Sequence, residues 1–385
     1  MRIATLQFAP KLGDVEGNIR RADEVLKNSA IKAPSQGTTV GIEEAGLDIL
    51  VLPELALTGY NFPSLAAIKP YTEPSGQGPS ATWARQTAKR LGCKVCVGYP
   101  EHELDSTTHQ EKYYNSLLVV DEQGEVLLNY RKTFLYYTDD TWASEGSAEL
   151  GFHRLDFPSS SSRTSRARGV SGASVLNAST DDNHHEPGIA TSFGICMDIN
   201  PYRFEAPYTA CEFANRVLDS KSQLVILSMA WLTTLSREDL DALAGKADMD
   251  TFSYWIQRFM PLIQKKMAHL TNADTDGDPD SKNEKKIILV FSNRAGEEDG
   301  IPLARYAGTS AIIAISQRLK PQLQPGPGPD LDRDSSGSSD EEEGPALDVK
   351  IICWNMLGAT SEGVCFADTM GDPTMVFPLV RAART

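Results

Sequence analysis

Three side chains that together can cleave an amide each stand just past a strand-like run. Glu54 follows Ile49-Leu50-Val51-Leu52-Pro53, where poor solvation lifts a carboxylate toward the pKa of a working general base. Lys132 closes Leu127-Leu128-Asn129-Tyr130-Arg131, and an ammonium there can stabilise a developing oxyanion. Cys196 follows the run Gly188–Ile195; a thiol becomes a strong nucleophile when neighbouring charge helps it ionise. Gly194, two residues earlier, permits close backbone approach. Taken singly, each has a plain structural reading: a surface acid, a solvated strand end, a small core residue. The chemistry requires all three in one place.

The surrounding sequence supplies elements that could bring them together. Strands are expected at Arg2–Phe8, Ile49–Leu52, Lys94–Gly98, Gln223–Met229, Ile287–Ser292, Thr309–Ile315 and Val349–Leu357. Tyr114–Val120 and Val126–Tyr130 read as a hairpin around Glu122-Gln123-Gly124. Helices are expected over Asn18–Lys27, with Asn18 as N-cap, over Ser80–Leu91 and Tyr208–Leu218, and from about Arg237 to His269. This mixture is α/β around one continuous core. Residues 158–187, 272–284 and 321–344 are Ser-, Asp-, Gly- and Pro-rich, bury little apolar area, and read as surface insertions.

Composition removes several function classes. The formal charge is −15, partly local to Asp340-Glu341-Glu342-Glu343, which argues against a phosphate-backbone binder. The most apolar stretch, Leu224–Leu232, falls short of the roughly 20 residues a spanning helix needs. Arg2–Phe8 reads as a strand and not as a leader. Six cysteines in 385 residues fit a reducing compartment, cytoplasmic or nuclear. Cys93 and Cys96 form a lone C-x-x-C, read as a structural pair, and His184 and His185 sit in a solvated loop. With no phosphate-loop motif and no Cys/His cluster at metal spacing, neither cofactor nor metal is expected.

The order Glu, Lys, Cys, with the blocks around it, resembles the nitrilase (carbon–nitrogen hydrolase) superfamily. The blocks are LPELALTGY (52–60), NYRKTFLY (129–136) and GICMD (194–198), followed by LSMAWL (227–232), FSNRAG (291–296) and YAGTSAII (306–313). The resemblance spans nearly the whole chain, so one hydrolase domain is expected over 1–385. It implies a four-layer αββα sandwich with Glu54 as base, Lys132 as oxyanion and thiolate stabiliser, and Cys196 as nucleophile.

Within the superfamily, TGYNF (58–62), FLYYTDDTW (134–142) and CMDINPYRFEAP (196–207) resemble the fungal N-terminal amidases. That implies hydrolysis of the side-chain amide of N-terminal Asn or Gln in peptides and proteins, feeding an N-degron route. Small-molecule carbon–nitrogen hydrolysis and a silent interaction module are the alternatives. The backbone N–H of Met197 is the expected oxyanion donor. Many superfamily members carry a second glutamate after the lysine, and by spacing Asp140 takes its place, with Asp139 adjacent. A buried carboxylate would recognise the substrate's α-ammonium; Asp139, Asp140 and Asp198 are candidates, with a salt bridge to Arg203 or another Arg as the structural alternative for Asp198. Tyr60, Asn61 and Trp231 are candidate pocket walls. Either a monomer or a homodimer is compatible with the sequence.

Overall fold

Successive strand residues point to opposite faces, and the strand Ile49–Val51 shows what this does here. Ile49 and Val51 enter one hydrophobic cluster, while Leu50 and Leu52 enter another. Both faces of this short strand are therefore covered, as a parallel strand in the middle of a layered α/β protein requires. The computed structural model describes residues 1–32, 39–105, 109–157, 188–267, 284–300, 302–319 and 347–378. The expected insertions at 158–187 and 321–344, His184 and His185, and 272–284 apart from Glu284 lie outside the described residues.

Two seven-stranded mixed sheets form the centre. The first runs Gly363–Asp368, Arg2–Gln7, Ile49–Val51, Lys94–Leu104, Glu111–Val120, Val126–Arg131, with Glu73–Pro74 pairing beside Lys94–Leu104. The second runs Met375–Pro378, Leu347–Met356, Ala311–Leu319, Lys285–Asn293, Leu224–Met229, Ile189–Ile195, Phe152–Leu155. Ile3, Ile49, Val51, Leu117 and Val119 of the first sheet pack in one cluster with Phe193, Ile195 and Ile226 of the second. Helices Val15–Asn28 and Gly78–Leu91 cover the outer face of the first sheet through Ala22, Leu26, Trp83 and Ala88. Glu212–Asp219 and Met249–Arg258 cover the second through Phe213, Val217 and Trp255, whose ring stacks on Phe291 at 5.0 Å. The result is the αββα sandwich.

Four local expectations need correction. The first helix is capped by Asp14, whose side chain accepts from Gly17 N; Asn18 is buried inside it, donating to Lys11 and Leu57 carbonyls. Where the expected helix from Arg237 to His269 falls on described residues, through Met267, it is three pieces, Arg237–Ala242, Met249–Arg258 and Met260–Gln264. Gly245 with φ +79° sits in the first break and Pro261 in the first turn of the third piece, and neither residue continues a helix readily. The Tyr208–Leu218 helix starts later, at Glu212, because Cys211 is left-handed (φ +43°). The strand from Lys94 runs past Gly98 to Leu104, pairing there with Glu111–Tyr114.

Candidate active site

Glu54 leaves the first sheet on the residue after Pro53, and Leu55 turns left-handed (φ +46°) immediately behind it. The turn holds the carboxylate in place and makes it wholly buried. Its Oε1 accepts from Lys132 Nζ at 2.6 Å and from Asn115 Nδ2 at 2.7 Å. Its Oε2 accepts from the backbone N–H of Ala230, at the end of a second-sheet strand, at 2.8 Å. The sheets are stitched together at this spot: Ser228 Oγ donates to the Leu52 carbonyl at 2.9 Å and Ser292 Oγ to the Val51 carbonyl at 3.0 Å.

Lys132 is fully buried between two carboxylates, Glu54 and Asp139, each 2.6 Å from its Nζ. Burial works against its charge, but the Asp139 and Glu54 carboxylates outweigh burial and raise its pKa. Asp139 also accepts from Tyr136 N at 3.0 Å, from Asn115 Nδ2 at 3.0 Å and from the Tyr60 hydroxyl at 3.3 Å. The acid on Lys132 is thus Asp139, while Asp140, one residue on in the short turn Asp139–Thr141, faces solvent. The spacing expectation was off by one residue because that turn points consecutive side chains in different directions. Asn115, which sequence reasoning missed, bridges the two carboxylates through one amide nitrogen. Its only sequence signal is a polar residue at a buried strand position.

Cys196 begins a short turn after the strand Ile189–Ile195 and adopts φ +39°, a strained conformation for a non-glycine residue. The strain presents the thiol at a cavity of about 410 Å³ lined also by Tyr60, Tyr136, Met197, Trp231 and Asp248. Burial first, then the Glu54 charge, pushes the Cys196 pKa well above its ordinary value, with Lys132 and the Ala230 N–H opposing. Burial likewise raises Glu54, against Lys132. The resting pair is therefore a thiol beside a carboxylate of raised basicity, held next to a permanent cation. That arrangement can move a proton from sulfur to oxygen as the sulfur attacks a carbonyl.

The other candidates divide. Tyr60 and Trp231 line the cavity; Trp231 N donates to Asn293 Oδ1 at 2.7 Å, and its ring packs on Tyr254. Asn61 does not line it: its side chain donates to the carbonyls of Asp299 and Pro302 at 3.3 and 3.1 Å. Asp198 is buried behind the nucleophile and accepts from Thr133 N, Phe134 N, Ile195 N and the Tyr130 hydroxyl. It braces the lysine and cysteine blocks and pairs with no Arg203, whose partner is Glu145 at 3.6 Å. None of Asp139, Asp140 and Asp198 is a lining residue of the cavity. The buried carboxylate among the lining residues is Asp248, which sequence reasoning missed because it fell inside the helix expected from Arg237, whereas it caps the helix Met249–Arg258. Among the described residues no group of three or more His, Cys, Asp and Glu side chains is arranged to hold a metal ion.

Residues 2–154 match the carbon–nitrogen hydrolase family model. The protein N-terminal amidase of Saccharomyces cerevisiae is 33% identical over 247 residues, 63% of this chain, and the match spans about half (47%) of that relative's length. The protein N-terminal amidase of Schizosaccharomyces pombe is 29% identical over 334 residues, 82% of this chain and 92% of its own. Crystal structures of an N-terminal amidase with Asn-Glu-Ala and Gln-Gly peptides superimpose with TM-scores of 0.64 and 0.62, each covering 99% of both chains at 23% identity. By these likenesses, residues 2–154 are similar to the carbon–nitrogen hydrolase family and the fold is that of the N-terminal amidase crystal structures.

Proposed function

We propose that the chain hydrolyses the side-chain amide of an N-terminal Asn or Gln in peptides and proteins, giving Asp or Glu and ammonia. The observation that carries this reading is Cys196 presented beside the Glu54–Lys132–Asp139 cluster, in a cavity whose lining includes the buried carboxylate of Asp248. The two yeast N-terminal amidases support it.

Glu54 takes the thiol proton as Cys196 sulfur attacks the amide carbon. The oxyanion forms between the Lys132 ammonium and the backbone N–H of Met197. Glu54 returns the proton to the leaving nitrogen, ammonia departs, and a thioester remains. Glu54 then deprotonates a water that attacks the thioester carbon, and the thiol is regenerated with its proton. The sum is amide plus water to acid plus ammonia.

Asp248 is the group we assign to the α-ammonium. A carboxylate has about four lone-pair sites. Asp248 Oδ2 accepts from the Thr233 and Thr251 hydroxyls and Oδ1 from Thr251 N, which leaves a site on Oδ1. Selection for a free amine follows, because a blocked terminus leaves that buried charge unanswered. The product would enter an N-degron route, and six free cysteines fit a cytoplasmic or nuclear setting. The test is ammonia release from Asn- and Gln-initiated peptides, their N-acetylated forms and free glutamine, with a one-dalton mass gain on the first residue. Equal rates on acetylated peptides overturn the N-terminal assignment in favour of a broader amidase. Full turnover by Cys196→Ser overturns the mechanism.

A further inference from the structure

A second buried ion pair sits behind the Tyr60 wall of the cavity, contributed by residues far along the chain. Arg294 and Glu298 are both fully enclosed, with Arg294 Nη1 2.7 Å from Glu298 Oε1. Arg294 Nη2 donates to the Pro10 carbonyl at 2.9 Å, and its guanidinium lies 4.0 Å from the Tyr306 ring centroid. Glu298 then spends its remaining acceptor sites on the loop that carries the Tyr60 wall and on Tyr306 behind it. It accepts from the backbone N–H groups of Tyr60 at 3.0 Å and Asn61 at 2.9 Å and from the Tyr306 hydroxyl at 2.6 Å.

The loop is shaped around this carboxylate. Gly59 has φ +83°, and a Cβ there would sit 2.5 Å from Glu298 Oε1. The neighbouring wall is tied to the same group, since Tyr306 forms a β-bridge with Leu232 and Ala307 N donates to the Trp231 carbonyl at 2.9 Å. From Tyr60 the path continues inward: its hydroxyl donates to Asp139 Oδ2, and its ring centroid lies 5.6 Å from Lys132 Nζ.

A carboxylate that only balanced Arg294 would not need to gather two consecutive loop N–H groups and a tyrosine hydroxyl. We infer that Glu298 is a positioning residue for the reaction, acting through Tyr60 on the Asp139–Lys132 pair that faces Glu54 and Cys196. The inference rests on the amide chemistry proposed above. Small displacements of positioning groups cost up to about 10²-fold in rate. Glu298→Gln keeps an acceptor but removes the charge and turns one acceptor into a donor against Tyr306.

The test uses Glu298→Gln, Tyr60→Phe and both together in the full chain. Two readouts are taken: kcat and KM on an Asn-initiated peptide, and the pH profile of Cys196 alkylation by iodoacetamide, which needs no substrate. Glu298→Gln is expected to lower kcat about 10- to 100-fold with KM within about three-fold, and to move the alkylation profile along the pH axis. In the Tyr60→Phe background the same change should cost several-fold less, because residues acting through one another are non-additive. If Glu298→Gln fails to fold with an uncompensated Arg294, the paired variant Arg294→Met with Glu298→Gln carries the same readouts. Unchanged kcat and alkylation profile, or effects that multiply, overturn the inference. A shifted alkylation profile in a protein whose wild type releases no ammonia from the peptide overturns the proposed substrate alone and leaves the positioning role standing.

Discussion

Replacing Lys132 with Met removes the cation that Glu54 and Asp139 share and keeps both carboxylates. At an effective dielectric of about 20, a unit pair at the observed 2.6 Å is worth about 6 kcal/mol of gross attraction. Desolvation of each ion costs several kcal/mol in return, so the cluster as a whole is close to balance. The variant keeps the desolvation and loses the attraction, and breaking such a pair costs about 3–5 kcal/mol of folding stability. That loss depends on pH with a definite sign. Glu54 is raised even with Lys132 beside it; without the cation it rises further, so the folded variant binds more protons than the unfolded chain. Stability then falls as pH rises through the window from the ordinary carboxylate value to the raised one, by about 1.4 kcal/mol per pH unit for one proton. Urea titrations of variant and wild type at pH 6 and pH 8 should show a deficit smaller at pH 6. Turnover should drop by at least the roughly 10²- to 10³-fold that loss of one oxyanion donor costs elsewhere. A deficit equal at both pH values, or a variant retaining a tenth of wild-type turnover, would refute this account of the cluster.

Other substitutions probe the remaining parts. Asn115→Ala withdraws the shared donor that lowers the Glu54 pKa, so the acidic limb of kcat/KM should move to higher pH and kcat should fall about ten-fold, as a pH–rate series would show. Asp248→Asn preserves the helix cap and should lower kcat/KM for free-amine peptides about 10- to 100-fold while leaving any slow turnover of acetylated peptides unchanged. Glu73, buried at the start of the helix Gly78–Leu91 with Ser80 N and Oγ as donors, is pushed up to about 7 by burial. Its contribution is complete below the ordinary carboxylate pKa and is lost as pH rises toward 7, by up to about 3 kcal/mol. Glu73→Gln should flatten that slope in thermal melts between pH 4.5 and 7.5.

The layered architecture was legible because buried parallel strands write themselves as short apolar runs, as Ile49–Val51 and Leu224–Met229 do. Glu54 and Cys196 were legible because each stands just past a buried run, and Lys132 because it closes the second strand of a readable hairpin; the structure brings the three to one place. What could not be read was direction within turns. Asp139 and Asp140 differ only by which way a single 3₁₀ turn aims them, and Asp198 looks like a pocket acid until the donors around it are found. Asn115 and Asp248 were invisible for another reason: Asn115 matters through Glu54 and Asp139, tens of residues away, and Asp248 through the cavity it faces. The helix expected from Arg237 failed at Gly245 and Pro261, two residues whose local preference overrode the apolar periodicity.

The cross-sheet construction has a further consequence. Glu54 and Lys132 hang from the first sheet and Cys196 from the second, while each sheet borrows a strand from the other half of the chain: Phe152–Leu155 joins the sheet of Cys196, and Gly363–Asp368 joins the sheet of Glu54. Catalytic competence is thus a logical conjunction. Two chain halves, each able to hold one part of the cluster, score nothing until they interlock. The same protein cut between its halves would behave as a complementation reporter, dark as fragments and active only on reassembly.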